Sequence, residues 1–339
     1  MFPRIVVACF VGLICTIAGC GPSSQSVAPK ELVWPSLPEK PRIRFLHSYS
    51  DRRSVEGSGP ALLEQLAGVE DSDPLAKPYG VAVDRRGTVY VTDTGNHQIF
   101  VVNTKRSELT LMGRSSTGSV SLPLGICADT SGLVYIADGT LKAVLVYNRN
   151  GDLVRTIGHP GELANPSGVA VDEVRGRLYV VDSQSHDVKV FSKEGLLLFT
   201  FGKRGTGDGE FNYPTNIAVG RDGTLYIVDT INARVEVFDA QGSFLWKFGS
   251  LGDALGQFTR PKGIALDSQG NIYVVDAAFN NFQIFGPKGE LLMFVGSLGT
   301  DPGMFWLPAG ICIDETDRIY VVDQMNARVQ VFQLITDNK

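Results

Sequence analysis

One phrase is written six times along the 339 residues of this chain, at residues 78–103, 123–148, 166–192, 214–239, 261–286 and 308–333. Each copy opens on a proline, and the prolines recur at intervals of 45, 43, 48, 47 and 47 residues. Repetition at such a period means one supersecondary unit that buries its apolar face only against its neighbours. No copy carries a sustained helical period; all read as short β-branched and aromatic runs between polar turns. In the fifth copy the first run closes on a turn holding Asp267 and Gly270, an aspartate to cap the turn and a glycine to take positive φ.

A second run follows at residues 272–275, then a polar loop. A third run is clearest at 328–332, and a fourth at 244–249 or 291–296. Four strands per repeat predict a blade, and six repeats predict an all-β, six-bladed β-propeller. The last copy stops after its third strand. Residues 42–49 (RIRFLHSY), just before the first copy, are the candidate for its fourth. Closure by that N-terminal strand would remove the unpaired edge an open array leaves. The propeller is therefore expected over 42–333, with 334–339 as a C-terminal tail.

The phrase itself is specific. Pro-x-Gly-Ile-Ala-x-Asp, then Gly-x-x-Tyr-Val-x-Asp, then Asn-x-Arg-x-x-x-Phe is nearly complete in the fourth and sixth copies. The linkers at 209–214, 256–261 and 303–308 share a Gly-x-Phe-x-x-Pro pattern, and the whole resembles NHL repeats. The second copy departs most, lacking both the Asn and the Arg.

The N-terminus follows a different logic. A weakly positive start is followed by an apolar run at residues 5–17 and then Ala18, Gly19 and Cys20. The run is too short for a comfortable membrane span and has the shape of a secretory signal. Its end resembles the lipobox of bacterial lipoproteins, which implies cleavage after residue 19, lipid on Cys20 and anchorage in the cell envelope. The Pro- and Ser-rich stretch 20–41 is expected to be a flexible tether. Gly21, where a retention signal would have aspartate, points to the outer membrane.

Net charge is −5, a poor match for a polyanionic partner such as nucleic acid, although it leaves room for a local basic patch. Of five cysteines only Cys127 and Cys312 fall in the propeller, in a slot where other copies have alanine; they read as apolar fillers rather than a disulfide or metal pair. The expected molecule is monomeric and without cofactor.

The strand order puts the second-to-third-strand loops and the interblade loops on one face, where proteins of this resemblance usually bind ligands. That face offers Asn96, His97, Lys142, His186, Asn232, Arg234, Phe279, Asn280, Met325, Asn326 and Arg328, with Trp306 from an interblade loop. Asn216, where other copies have Gly, is the one obvious polar break in the innermost strands. The recurring Asp93, Asp138, Asp182, Asp229, Asp276 and Asp323 are expected to hold loop amides, and Phe211, Phe258 and Phe305 to lie between blades. A helix is expected at 60–67.

Two readings of function follow. The first is a noncatalytic binding or scaffold module displayed from the envelope to a protein or glycan partner. The second rests on other six-bladed propellers, lactonases and peptide-amidating lyases, and implies a metal-dependent hydrolase or lyase using the central channel. Zinc would need three nitrogen or sulfur ligands and calcium six or more oxygens. His97 and His186 lie two blades apart, and no nucleophile elbow, Walker loop or His-Glu-x-x-His occurs.

Overall fold

The computed structural model describes residues 31–36, 38–57, 73–114 and 118–335. The signal, Cys20, most of the tether and the helix expected at 60–67 lie outside the described residues. Five sheets have four antiparallel strands each, in the sequence order 78–112, 123–157, 166–201, 214–248 and 261–295. The sixth is built from Pro308–Ile313, Arg318–Asp323 and Arg328–Leu334, completed by Ile43–Tyr49. The closing strand runs antiparallel to the last, with Phe45 opposite Phe332 and Tyr49 opposite Val329. The sequence places this closure correctly.

Six apolar clusters fill the ring, each shared by two successive blades. Blades 5 and 6 meet through Tyr273, Phe282, Phe305, Val321 and Phe332. Blades 6 and 1 meet through Tyr320, Val329, Val89 and Phe100, which makes the array circular. Phe211, Phe258 and Phe305 are fully buried in three of these clusters.

Two boundaries differ from expectation. Val33–Trp34, within the stretch read as tether, pairs with the closing strand as a fifth strand of blade 6. The Trp34 ring meets Phe332 edge to face at 5.7 Å, so an apolar anchor holds a strand too short to announce itself. At the other end, the last strand runs through Leu334, and Ile335 still donates its N–H to Arg42.

The connection into blade 1 begins with a five-residue helix, Arg52–Glu56, whose capping box joins Asp51 and Ser54. Arg52 donates to the Leu109 carbonyl and Glu56 accepts from the Leu109 amide. The helix thereby occupies backbone groups on the outermost strand of blade 1, an edge that would otherwise be open.

Candidate ligand-binding face and central channel

The loop face is tied down by one device used six times. The aspartate ending each second strand is fully buried and accepts amides from the interblade loop: Ala76 and Lys77 on Asp93, Asn212 on Asp229, Trp306 on Asp323. Four residues beyond each aspartate the backbone is left-handed, at His97, Lys142, His186, Ala233, Asn280 and Ala327. Both loop sets share the face, as the strand order requires.

Most polar residues singled out from the sequence are spent on this framework. The amide groups of Asn96, Asn232 and Asn326 each donate both to the blade's own aspartate and to an interblade carbonyl. Arg234 is buried; it pairs with Asp229 at 3.0 Å and donates to the carbonyls of Thr206, Gly207 and Glu210. Arg328 repeats this arrangement on Asp323, Asp301 and Met304. His186 accepts the Tyr213 amide, Asn280 accepts the Leu307 amide, and His97 faces the Ser121 carbonyl. Their side chains thus hold one loop to the next on the face where the sequence places them. The half-buried Phe279 turns to a hollow of about 250 Å³ beside Leu255, Phe294 and Leu298.

What remains free on the face is mostly apolar or cationic. Trp306, Tyr213 and Ile231 are 45%, 48% and 58% exposed, and Leu141, Met325 and Lys142 are exposed with them. Lys77 and Arg260, each just before a blade-opening proline, are also exposed. Lys262, just after one, lies over the Tyr79 ring at 5.6 Å. Burial, helped by the like charges of Arg260 and Lys77, brings the Lys262 ammonium down to about 8. No carboxylate pairs with it among the described residues. The sequence reading missed Tyr213, Ile231, Tyr79, Lys77 and Arg260. The signal available was their position flanking a repeated proline or aspartate without themselves repeating.

The channel, of about 310 Å³, is lined by Gly, Ala, Val, Ile and Leu with Cys127, Cys312 and Asn216. The repeated Pro-x-Gly glycine is needed here: a Cβ at Gly125 would stand 2.5 Å from the Ser167 carbonyl, and one at Gly263 the same distance from that of Ala309. Asn216 replaces this glycine in blade 4 and accepts the Ile217 amide on its own side-chain oxygen. Cys127 and Cys312 are free thiols, both pushed up by burial, Cys312 to about 12. Asp84, Asp129, Asp267 and Asp314 accept turn amides at the far end of the innermost strands. Among the described residues no three His, Cys, Asp or Glu side chains converge.

A repeated polar position explains how the loops stay fixed. Gln283 and Gln330 accept the amides of Gly256 and Gly303 and donate to the carbonyls of Gln257 and Met304. Blade 4 has Glu236 there. One of its oxygens accepts the Gly209 amide; the other lies 2.8 Å from Arg234 without hydrogen-bond geometry. Burial raises this carboxyl from 4.5 to about 7 against the pull of Arg234. A carboxyl raised in the fold binds its proton more tightly folded than unfolded, so its contribution to stability declines as pH climbs from about 4.5 through 7. Glu236→Gln, which copies blade 6, is expected to flatten that decline and raise stability at pH 8; denaturant midpoints against pH check it.

Matches to known proteins agree with this geometry. A family model for the NHL repeat matches residues 75–102, 258–286 and 305–332, and one described as a 6-bladed beta-propeller matches 162–246. The chain carries NHL repeats in a six-bladed β-propeller. Its NHL repeats are similar to those of the Drosophila melanogaster "Protein brain tumor", 39% identical over 62 residues, 18% of this chain and 6% of that protein. They also resemble the mouse "NHL repeat-containing protein 3", 33% identical over 90 residues, 22% of this chain and 26% of that one. The matched segments thus span well under two thirds of either relative. Among solved structures, a gluconolactonase from Xanthomonas campestris superposes with a TM-score of 0.61 at 14% identity, covering 86% of this chain and 98% of that one. That likeness establishes shared fold.

Proposed function

We propose that this propeller is a noncatalytic binding module, held in the bacterial cell envelope by lipid on Cys20 and presenting its loop face to a protein or glycan partner. The observation that carries the proposal is the contrast on that face. Backbone and polar side chains are locked into one another, while the Trp306, Ile231 and Met325 side chains stand out, unused by the scaffold, and Tyr213, its ring edge to face on His186 at 4.6 Å, is half exposed beside them. Exposed Trp and Tyr on fixed backbone are the residue types that carry binding energy at protein interfaces. A framework already ordered spends little entropy on association. Lys262 and its neighbours add a cationic mouth at the centre, suited to an acidic group on the partner. Several acyl chains at ~0.8 kcal/mol per buried methylene would make the anchor stable, and Gly21 favours the outer membrane.

The test compares envelope complexes of the full chain with those of a Tyr213→Ala/Trp306→Ala variant. The variant is expected to fold, with at most a small drop in melting midpoint from the lost Tyr213–His186 ring contact, and to lose its partner by about tenfold or more in apparent affinity. An unchanged complex would reject the face. In parallel, Cys20→Ser should move the protein from the membrane to the soluble fraction; retention would reject the anchor.

A further inference from the structure

On the end of the ring opposite the loop face, the surface between blades 1 and 2 is a groove of about 540 Å³, inside the range of ligand pockets. Its floor is Tyr90 and Val101, and its walls carry Thr88, Asn103 and Thr110. Four cations line it: Arg86 from the first turn of blade 1, Lys105 and Arg106 from the hairpin joining that blade's third and fourth strands, and Arg149 from the matching hairpin of blade 2. Facing them is one carboxylate, Glu108.

Two features separate this groove from ordinary solvated charge. First, three of its four cations are left over, Arg149 alone pairing with Asp84. Elsewhere on the underside Arg85 pairs with Glu315, Arg175 with Asp172, and Lys193 with Asp129 and Glu173. Arg86, Lys105 and Arg106 have no carboxylate within salt-bridge distance among the described residues. The adjoining hollow, under the channel, sets Arg85, Arg86, Lys105 and Arg318 against Asp84, Asp129, Glu173, Asp314 and Glu315 and is balanced by comparison. On a chain of net charge −5, an unbalanced pocket of guanidinium groups is a local exception.

Second, part of it is built in advance. Arg149 donates to the Ser131 carbonyl at 2.7 Å and lies 3.4 Å from Asp84. Its guanidinium lies flat on Gly132, where an added Cβ would stand 1.9 Å from the guanidinium carbon. The turn takes glycine for its φ of +91°. The hairpin bearing Lys105 and Arg106 is fixed by Asn103, whose side-chain oxygen accepts both their amides.

We propose that this groove binds a phosphate-bearing polar ligand. Guanidinium forks match phosphate oxygens two at a time, and a phosphate monoester has the double charge that several cations against one carboxylate call for. The threonine hydroxyls and the Asn103 amide would serve the polar body behind the phosphate. A free phosphorylated molecule and a phospholipid headgroup share this chemistry.

Full-length protein titrated calorimetrically with inorganic pyrophosphate at low salt tests the site. Lys105→Glu/Arg106→Glu, both exposed and outside the core, should weaken binding at least about tenfold, and Glu108→Gln should strengthen it. The Tyr213→Ala/Trp306→Ala variant should bind pyrophosphate like wild type, so failure of the groove and failure of the loop face are separable. Flotation with phosphatidylglycerol or phosphatidylcholine vesicles, on Cys20→Ser protein so that no anchor contributes, distinguishes the sources. Charge-dependent capture by phosphatidylglycerol alone, lost in the Glu variant, assigns the phosphate to a headgroup. Wild-type protein that binds neither probe, or a charge-reversal variant that binds as well as wild type, overturns the proposal.

Discussion

Phe332→Ala is expected to lower the unfolding free energy by about 3–5 kcal/mol, a large part of the stability of a typical domain. Phe332 is fully buried in the last strand of the repeat array, and its ring meets Trp34, Phe45, Phe282 and Phe305 at centroid distances of 5.7, 5.6, 5.7 and 6.0 Å. Two of those partners belong to the N-terminal strands and two to blade 5 and the linker after it. One side chain thus joins the closing strand, the final repeat and the neighbouring blade. Its removal leaves a cavity no single segment can fill, because the three parts are fixed by separate hydrogen-bond ladders. Chemical denaturation of wild type and variant measures the loss. A value below about 1 kcal/mol would mean that the closing strand does not rest on the last blade.

Arg234→Ala is expected to be comparably damaging, by about 3–5 kcal/mol near neutral pH, for a different reason. Here the deficit comes from what is left behind. Asp229 and Glu236 are both fully buried, and Arg234 is the cation they share, at 3.0 and 2.8 Å. Without it, two carboxylates remain in the interior and three interblade carbonyls lose a donor. Burial already raises both carboxyls with the arginine present. In the variant they should rise further, so the loss should shrink as pH falls and protons neutralise them. Denaturant midpoints at pH 8 and pH 5 read this directly. The exposed pair Lys203 and Glu210, at 3.2 Å, serves as the control: Lys203→Ala should change stability by less than about 1 kcal/mol.

The period, the four-strand blade and the closing strand were legible because each is a statement about backbone pattern, which repetition amplifies. The structural role of the second-strand aspartates was legible for the same reason: a side chain demanded six times at one place belongs to the scaffold. The loop face was legible as a surface but not residue by residue. Asn232 reaches Gly205, His186 meets Tyr213, Asn280 meets Leu307 and Asn326 reaches Gly299, each across 27 residues. Those contacts exist only once the ring brings one loop over the next, so a polar loop residue that looks free in sequence is spent in space. Exposed Tyr213 and Ile231 were overlooked because apolar residues in a propeller sequence read as core. Val33 and Trp34 form too short a strand to show a period, and a proline follows them. The basic groove draws its cations from three separate turns, at 86, 105–106 and 149, none of which repeats.

The reading of this protein as a presenting surface rests on which side of the ring touches a partner. Photoreactive residues placed in intact cells at 141, 231, 306 and 325 on the loop face, and at 245 and 292 on the exposed outer strands, measure that most directly. The account predicts covalent adducts from the loop-face positions, lost from position 306 when Tyr213 is also replaced by alanine, and none from the outer strands. Adducts confined to positions 245 and 292, or none from the loop face, would contradict it.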